Sequence, residues 1–277
     1  MPKLQGPAAI LLAALFWSSG GLFIKWIPLS ALGVAGGRAL VTSLFYLAVL
    51  RPNLRQARLS TALAYAGMIL TFVAANKQTT AASAVLLQYT GTAWVLLAGY
   101  RWFGETVTRS DVVAVAGCLT GMALCLWDDA TGITWQGNAY GAVSGAFFAA
   151  AILCMRRDAQ SAGDSAQASV TLGNVIAAAF GLGLGGGDVL AGLDGRAALG
   201  LLWLGLVQMG AAYWLFLRGL RTVTASTASL LSLLEPAVSP LWVWLGTAER
   251  PGIATLAGGA LVLGSLAARA LWPRPSP

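Results

Sequence analysis

The sequence predicts an all-α integral membrane protein with ten transmembrane helices in two inverted five-helix repeats and both termini in the cytoplasm. Three observations predict it. The chain of 277 residues is 57% apolar and 10% charged, with a mean hydropathy of +0.73, whereas a soluble domain carries roughly 25% charged residues. Its apolar stretches recur at about 20 residues, enough to cross a ~30 Å hydrocarbon core. Its two halves also resemble each other.

The spans follow in order. Those of the first half centre near Ala14, Thr42, Ile69, Ala93 and Gly117, and those of the second near Gly145, Ile176, Leu206, Leu234 and Leu261. The first follows Lys3 and is longer than the apolar core of a signal peptide, so it reads as a retained helix. Polar turns separate the spans, among them "RPNLRQARLS", "NKQTT", "RWFGETVTRSD", "RRDAQSAGDS" and "LRGLRTVT". Alternate turns and both termini carry Lys3, Arg51, Arg55, Arg58, Arg101, Arg109, Arg156, Arg157, Arg218, Arg221, Arg269 and Arg274. The other side carries only Lys25, Lys77, Arg196 and Arg250, which puts both termini in the cytoplasm by the positive-inside rule. The net charge of +7 is therefore a topology signal and not a nucleic-acid patch.

Glycines four residues apart, as in Gly33/Gly37, Gly117/Gly121, Gly137/Gly141/Gly145 and Gly181/Gly185, predict close helix contacts. "GLGLGG" from Gly181 fits a dinucleotide fingerprint only formally, since no strand precedes it. Cys118, Cys125 and Cys154 fall inside spans and read as packing residues.

Sliding the chain by 144 residues lays "AASAVLLQYTGTAWVLLAGYRWFGE" on "ASTASLLSLLEPAVSPLWVWLGTAE", and Glu105 then meets Glu249. At another offset "LFWSS" meets "AFFAA", so the first helices of the halves also correspond. Five helices per half is odd, so the second copy inserts upside down, the arrangement of many secondary transporters. The boundary falls between 1–130 and 131–277.

The segment "YWLFLRGLRTVTASTASLLSLLEPAVSPLWVWLGTAERPGIATLAGGALVLGS" resembles the second EamA-type repeat of the drug/metabolite transporter superfamily, with its Glu-Pro in the ninth helix and a glutamate 14 residues later. The opening "AALFWSSGGLFIKW" is similar to that family's first helix, and the resemblance spans essentially the whole chain. Within the superfamily the chain is most similar to YddG-type exporters, which implies export of aromatic and other neutral amino acids. One departure is "QYTGTAW" in the fourth helix, where the family often has a proline.

Without histidine, HExxH sites and His-based triads are impossible, and no metal cluster, cofactor loop or nucleophile–base pair stands out. The chain is not expected to be an enzyme. A binding cavity fits better. Glu235 can bind an ammonium group or carry a proton, or it can serve structurally by accepting hydrogen bonds within the bundle. Pro236 and Pro240 are expected to kink this helix. Arg38 can counter a substrate carboxylate or pair with Glu235, or else snorkel to the headgroups from the outer end of its helix. Lys77 can snorkel or attract substrate at a cavity mouth.

Trp17 with Ser18 and Ser19, Tyr65 with Phe72, Gln88 with Tyr89, and Gln208 near Tyr213 and Trp214 supply the remaining candidate lining, since aromatic faces suit a ring or an ammonium group. Trp26, Trp102, Trp127, Trp135 and Trp272 sit near span ends as interface anchors. The expected protein is thus a bacterial inner-membrane, multi-pass exporter with a small-molecule partner, an amino acid foremost, working as a monomer in the lipid bilayer. Alternatives are a non-transporting membrane scaffold and efflux of aromatic cationic drugs, which the resemblance disfavours because small multidrug exporters of that superfamily use a first-helix glutamate and the first helix here has no carboxylate.

Overall fold

A computed structural model of the chain describes residues 6–127, 134–161, 163–247 and 252–271. The described residues are almost wholly helical. The first half comprises α1 (Gly6–Trp17), α2 (Gly20–Trp26), α3 (Ala31–Phe45), α4 (Leu59–Gln78), α5 (Ala81–Tyr89), α6 (Gly91–Phe103) and α7 (Arg109–Trp127). The second comprises α8 (Trp135–Gln160), α9 (Ser165–Gly192), α10 (Gly195–Leu202), α11 (Ala212–Leu220), α12 (Ala225–Ser232), α13 (Leu234–Thr247) and α14 (Ile253–Leu271). Two π-helical stretches, Tyr46–Leu50 and Trp203–Ala211, extend α3 and join α10 to α11.

Among the described residues, six helical stretches are long and apolar enough to cross a membrane: Gly6–Trp26, Ala31–Leu50, Leu59–Gln78, Trp135–Gln160, Ser165–Gly192 and Gly195–Leu220. The outward surface is apolar as well, with Leu44, Leu97, Leu184, Leu245 and Ile253 all exposed. Water would disfavour such a surface, and hydrocarbon does not. Trp26, Trp102 and Trp135 are exposed near helix ends, as interface anchors require. The Trp127 side chain and Trp272 lie outside the described residues.

Alternate turns gather on common faces. On one face the start of α1 meets the end of α11 through Gly6 and Thr222, Ser165 donates to the Gln56 carbonyl, and Arg269 pairs with Asp111. Arg51, Arg55, Arg58, Arg157 and Arg221 belong to this end, so it is called the arginine-rich face. At the opposite face Lys25 reaches the end of α4, and the Ser30 amide donates to Asp188.

The spaced glycines lie where helices touch. A methyl group on Gly36 or Gly181 would collide with the other's backbone, and one on Gly185 would meet Leu32 and Gly33. This four-residue seam joins α3 to α9. Gly121 lies against the Gly258 carbonyl, joining α7 to α14, and Gly137, Gly141 and Gly145 lie against Gln78, Leu87 and the Leu87 carbonyl. Small residues permit this approach, so dispersion and not polarity holds the seams. Cys118 is buried and Cys154 half-buried, both as free thiols.

Three rods are broken midway, each by a different device. Between α1 and α2, Ser18 and Ser19 turn their hydroxyls back onto the Leu15 and Phe16 carbonyls. Between α5 and α6 the break falls at Thr90, whose hydroxyl bonds the Leu87 carbonyl. The missing proline therefore does not leave the fourth rod straight. Between α12 and α13 it falls at Leu233, whose amide makes a tight bond to the Leu230 carbonyl. Pro236 sits in the first turn of α13, where a missing N–H is tolerated. The expected kink is thus an interruption before the proline. Pro240 falls within the α13 helix, and its side chain is outside the described set.

Candidate functional site

The broken rods and the π-helical stretch converge near mid-depth. An α-helix satisfies each carbonyl four residues on; a π-helical turn shifts that partner and leaves carbonyls to be claimed. Here α3 and the π-helical stretch that extends it claim them. Thr42 donates to the Gly205 carbonyl at 2.8 Å, and the Tyr46 hydroxyl donates to the Gly210 carbonyl at 2.8 Å. The wider turn carries Gln208 and Met209 inward, both buried. Gly20, at the α1–α2 break, leaves room for Gln208, whose Nε2 would lie 2.8 Å from a methyl group placed there.

These elements enclose a cavity with about 360 Å³ of space unfilled by atoms, including the part continuous with its opening. Its polar wall is Arg38, Gln88, Gln208 and Glu235, and its aromatic wall is Trp17, Phe72, Tyr89, Phe148 and Tyr213. Met68, Ile69 and Met209 complete it with flexible apolar surface.

Arg38 is only 1% exposed, so it does not snorkel to the headgroups. It donates to Gln208 Oε1 and to the Ile69 carbonyl, both at 3.3 Å, and its Nε has no partner. Among the described ion pairs there is none between Arg38 and Glu235, so the expected charge pair is corrected. Glu235 is instead held by the Tyr89 hydroxyl at 2.6 Å, a bond joining α5 of one repeat to α13 of the other. A cation with long, incomplete hydrogen bonds and a carboxylate with one short bond thus face the same cavity. The Trp17 indole N–H is also buried without a partner. Buried donors are normally satisfied, so such orphans mark places where another group can bind.

The aromatic wall is ordered by its own contacts. The Trp17 ring lies 4.8 Å from Tyr213 and 5.0 Å from Phe216, and Tyr89 lies edge-on to Phe148 at 5.1 Å. Gln88 donates to Ser144 at 2.9 Å, which fixes its amide against α8.

The remaining candidates lie elsewhere. Tyr65 is fully buried behind the cavity, edge-on to Tyr213 at 4.8 Å, with its hydroxyl accepting from Asn174. Ser18 fixes the α1–α13 contact by accepting from the Trp242 indole at 2.8 Å. Trp214 faces away and stacks under the Arg218 guanidinium, 3.7 Å from its ring centroid. Lys77 lies at the opposite face, donating to the Ile27 carbonyl at 2.7 Å. The lining residues not singled out from the sequence as candidates are apolar. One carried a signal: the offset that lays "LFWSS" on "AFFAA" puts Trp17 on Phe148. Among the described residues no three His, Cys, Asp or Glu side chains gather as a metal site would.

A multi-pass helical membrane protein with two related halves and a polar, aromatic cavity where they meet belongs to the class of small-molecule transporters. The family comparison makes this specific: two EamA domains match residues 4–127 and 135–268, and the chain belongs to the EamA-like transporter family, whose members are transporters and not enzymes. A solved structure titled only "Crystal structure of protein" is similar in fold, with a TM-score of 0.73, 20% identity and 96% of each chain covered. No curated protein matches.

Proposed function

We propose that this chain is a ten-span secondary transporter of the bacterial inner membrane, with both termini cytoplasmic, that exports aromatic and other neutral amino acids by alternating access. The observation that carries the reading is one cavity holding an under-bonded arginine, a carboxylate and an aromatic wall. A zwitterion has a carboxylate for Arg38 and Gln208 and an ammonium group for Glu235 and the Tyr89 ring. Its side chain then meets Trp17, Phe148 and Tyr213. The adaptable Met68 and Met209 suit side chains of several shapes.

An aromatic cation is the second reading, favoured by Glu235 among aromatic rings. Arg38 in the same cavity opposes it, because a like charge in a low-dielectric site raises the energy of a bound cation.

The test is uptake of labelled phenylalanine and leucine into liposomes holding the purified protein, with and without a pH gradient, with an aromatic cation as competitor. Saturable amino acid uptake above empty liposomes supports the reading. Transport of the cation without amino acid uptake would replace it with drug efflux. Acceleration by a pH gradient would make Glu235 the first residue to test as a proton carrier.

A further inference from the structure

Long cations close both ends of the molecule in the same way. At the opposite face, Lys25 near the end of α2 donates to the Thr79 carbonyl at the end of α4, at 2.9 Å. Lys77 of α4 returns the contact, donating to the Ile27 carbonyl just after α2 at 2.7 Å. At the arginine-rich face, Arg156 of α8 donates to the Leu220 carbonyl, the last of α11. The last turn of a helix leaves carbonyls unpaired at the negative end of its dipole, so a cation is the fitting partner in each case.

The repeat relates these contacts. The offset of 131 residues that lays "LFWSS" on "AFFAA" also lays Lys25 on Arg156. Each therefore joins the first rod of its half to the end of the third, but at opposite faces because the halves are inverted. A second closure lies beside Arg156. Glu105, buried at the end of the first half's fourth rod, accepts from the Ala225 amide at 2.8 Å, the Ser226 amide at 3.1 Å and the Ser226 hydroxyl at 2.8 Å. It thus caps the N-terminus of α12, the positive end of that helix. Its repeat counterpart, Glu249, lies outside the described residues.

We propose that these helix-end contacts are the two gates of the transport cycle, Lys25 and Lys77 holding the opposite mouth shut and Arg156 and Glu105 holding the arginine-rich mouth shut. This rests on the alternating-access part of the proposed function. Both sets are made in this structure, with the cavity between them. Opening either mouth exchanges carbonyl and amide partners for water at a helix end, where water can replace them; a gate built deeper would have no such substitute.

The test reads mouth opening without substrate. Cys118, Cys125 and Cys154 are replaced by alanine, and one reporter cysteine is introduced. Ser83→Cys lies buried in α5, which meets α2 and α13, and Ser229→Cys lies buried in α12, which meets α6 and α8. Labelling by a polar maleimide is timed in lipid nanodiscs. Lys25→Met with Lys77→Met should speed labelling of Ser83→Cys about tenfold, the effect of losing ~1.4 kcal/mol of closed-state preference, and should not speed Ser229→Cys. Arg156→Met with Glu105→Gln should do the reverse.

Lys25→Arg with Lys77 intact, which keeps the donor, should leave both rates at the parent value. Faster labelling of both reporters in either variant, the mark of general loosening, would overturn the gates, and so would unchanged labelling. Since no amino acid enters the assay, failure of the substrate assignment appears in liposome uptake and failure of the gates appears here.

Discussion

At the residue scale, the cavity turns on two charged groups with different supports. Arg38 has two 3.3 Å bonds and an unpaired Nε, so it is poorly satisfied until another anion arrives. Arg38→Met, which keeps the bulk and removes the charge, should raise the KM for amino acid uptake at least about tenfold, the loss of one charge-assisted bond, with little change in thermal stability. Initial uptake rates and a melting curve on the same preparation check both halves of that expectation. Glu235 differs because Tyr89 is its one hydrogen-bond donor among the described residues. Tyr89→Phe leaves the carboxyl without it and should lower stability by about 1–3 kcal/mol, read as a fall in melting temperature. Tyr89 and Glu235 were each legible as polar groups within apolar runs. Their bond was not, because 146 residues separate them.

At the scale of elements, glycine spacing foretold that seams would form, and the fold supplies their partners, among them Gly36, which the spacing did not single out. Gly36 and Gly181 touch backbone to backbone, so neither can relax by moving a side chain. Gly36→Leu should prevent the α3–α9 seam from closing and cost more than the ~1–3 kcal/mol of ordinary overpacking. The expected result is loss of monodisperse protein on gel filtration, while Gly183→Leu, where nothing lies within 4 Å, should behave as the parent. The breaks were less legible. Proline announced the interruption of the ninth rod, but in the fourth a threonine hydroxyl and its turn do the same work without one. The π-helical stretch that turns Gln208 inward carries no sequence mark, and the hydroxyls that meet its carbonyls, those of Thr42 and Tyr46, lie in the other half of the chain. Thr42→Val with Tyr46→Phe should strand both carbonyls and weaken uptake together with stability, measurable in the same two assays.

At the scale of the whole molecule, the arginines of alternate turns lie at one end of the bundle. The proposed orientation, argued from the positive-inside rule, puts that end in the cytoplasm. A fluorescent protein fused after Pro277 should therefore fluoresce in cells, and a periplasmic phosphatase fused after Gly195 should be active. The opposite result in both would invert the proposed orientation while leaving the fold untouched.

By itself the sequence determined that the chain is a helical membrane protein with two related halves, because lipid requires long apolar stretches and those stretches are contiguous in sequence. It also supplied the charged and aromatic groups of the cavity, since a polar residue in an apolar run is conspicuous. Only the tertiary structure decided which of them meet: Tyr65, Ser18, Trp214 and Lys77 left the cavity, and Phe148, Met68 and Met209 joined it. The physical reason is that the spans are apolar around most of their circumference. Such a helix has no marked face, and its inward side is chosen by glycine seams, broken rods and a π-helical turn, all of which are contacts between segments distant in the chain.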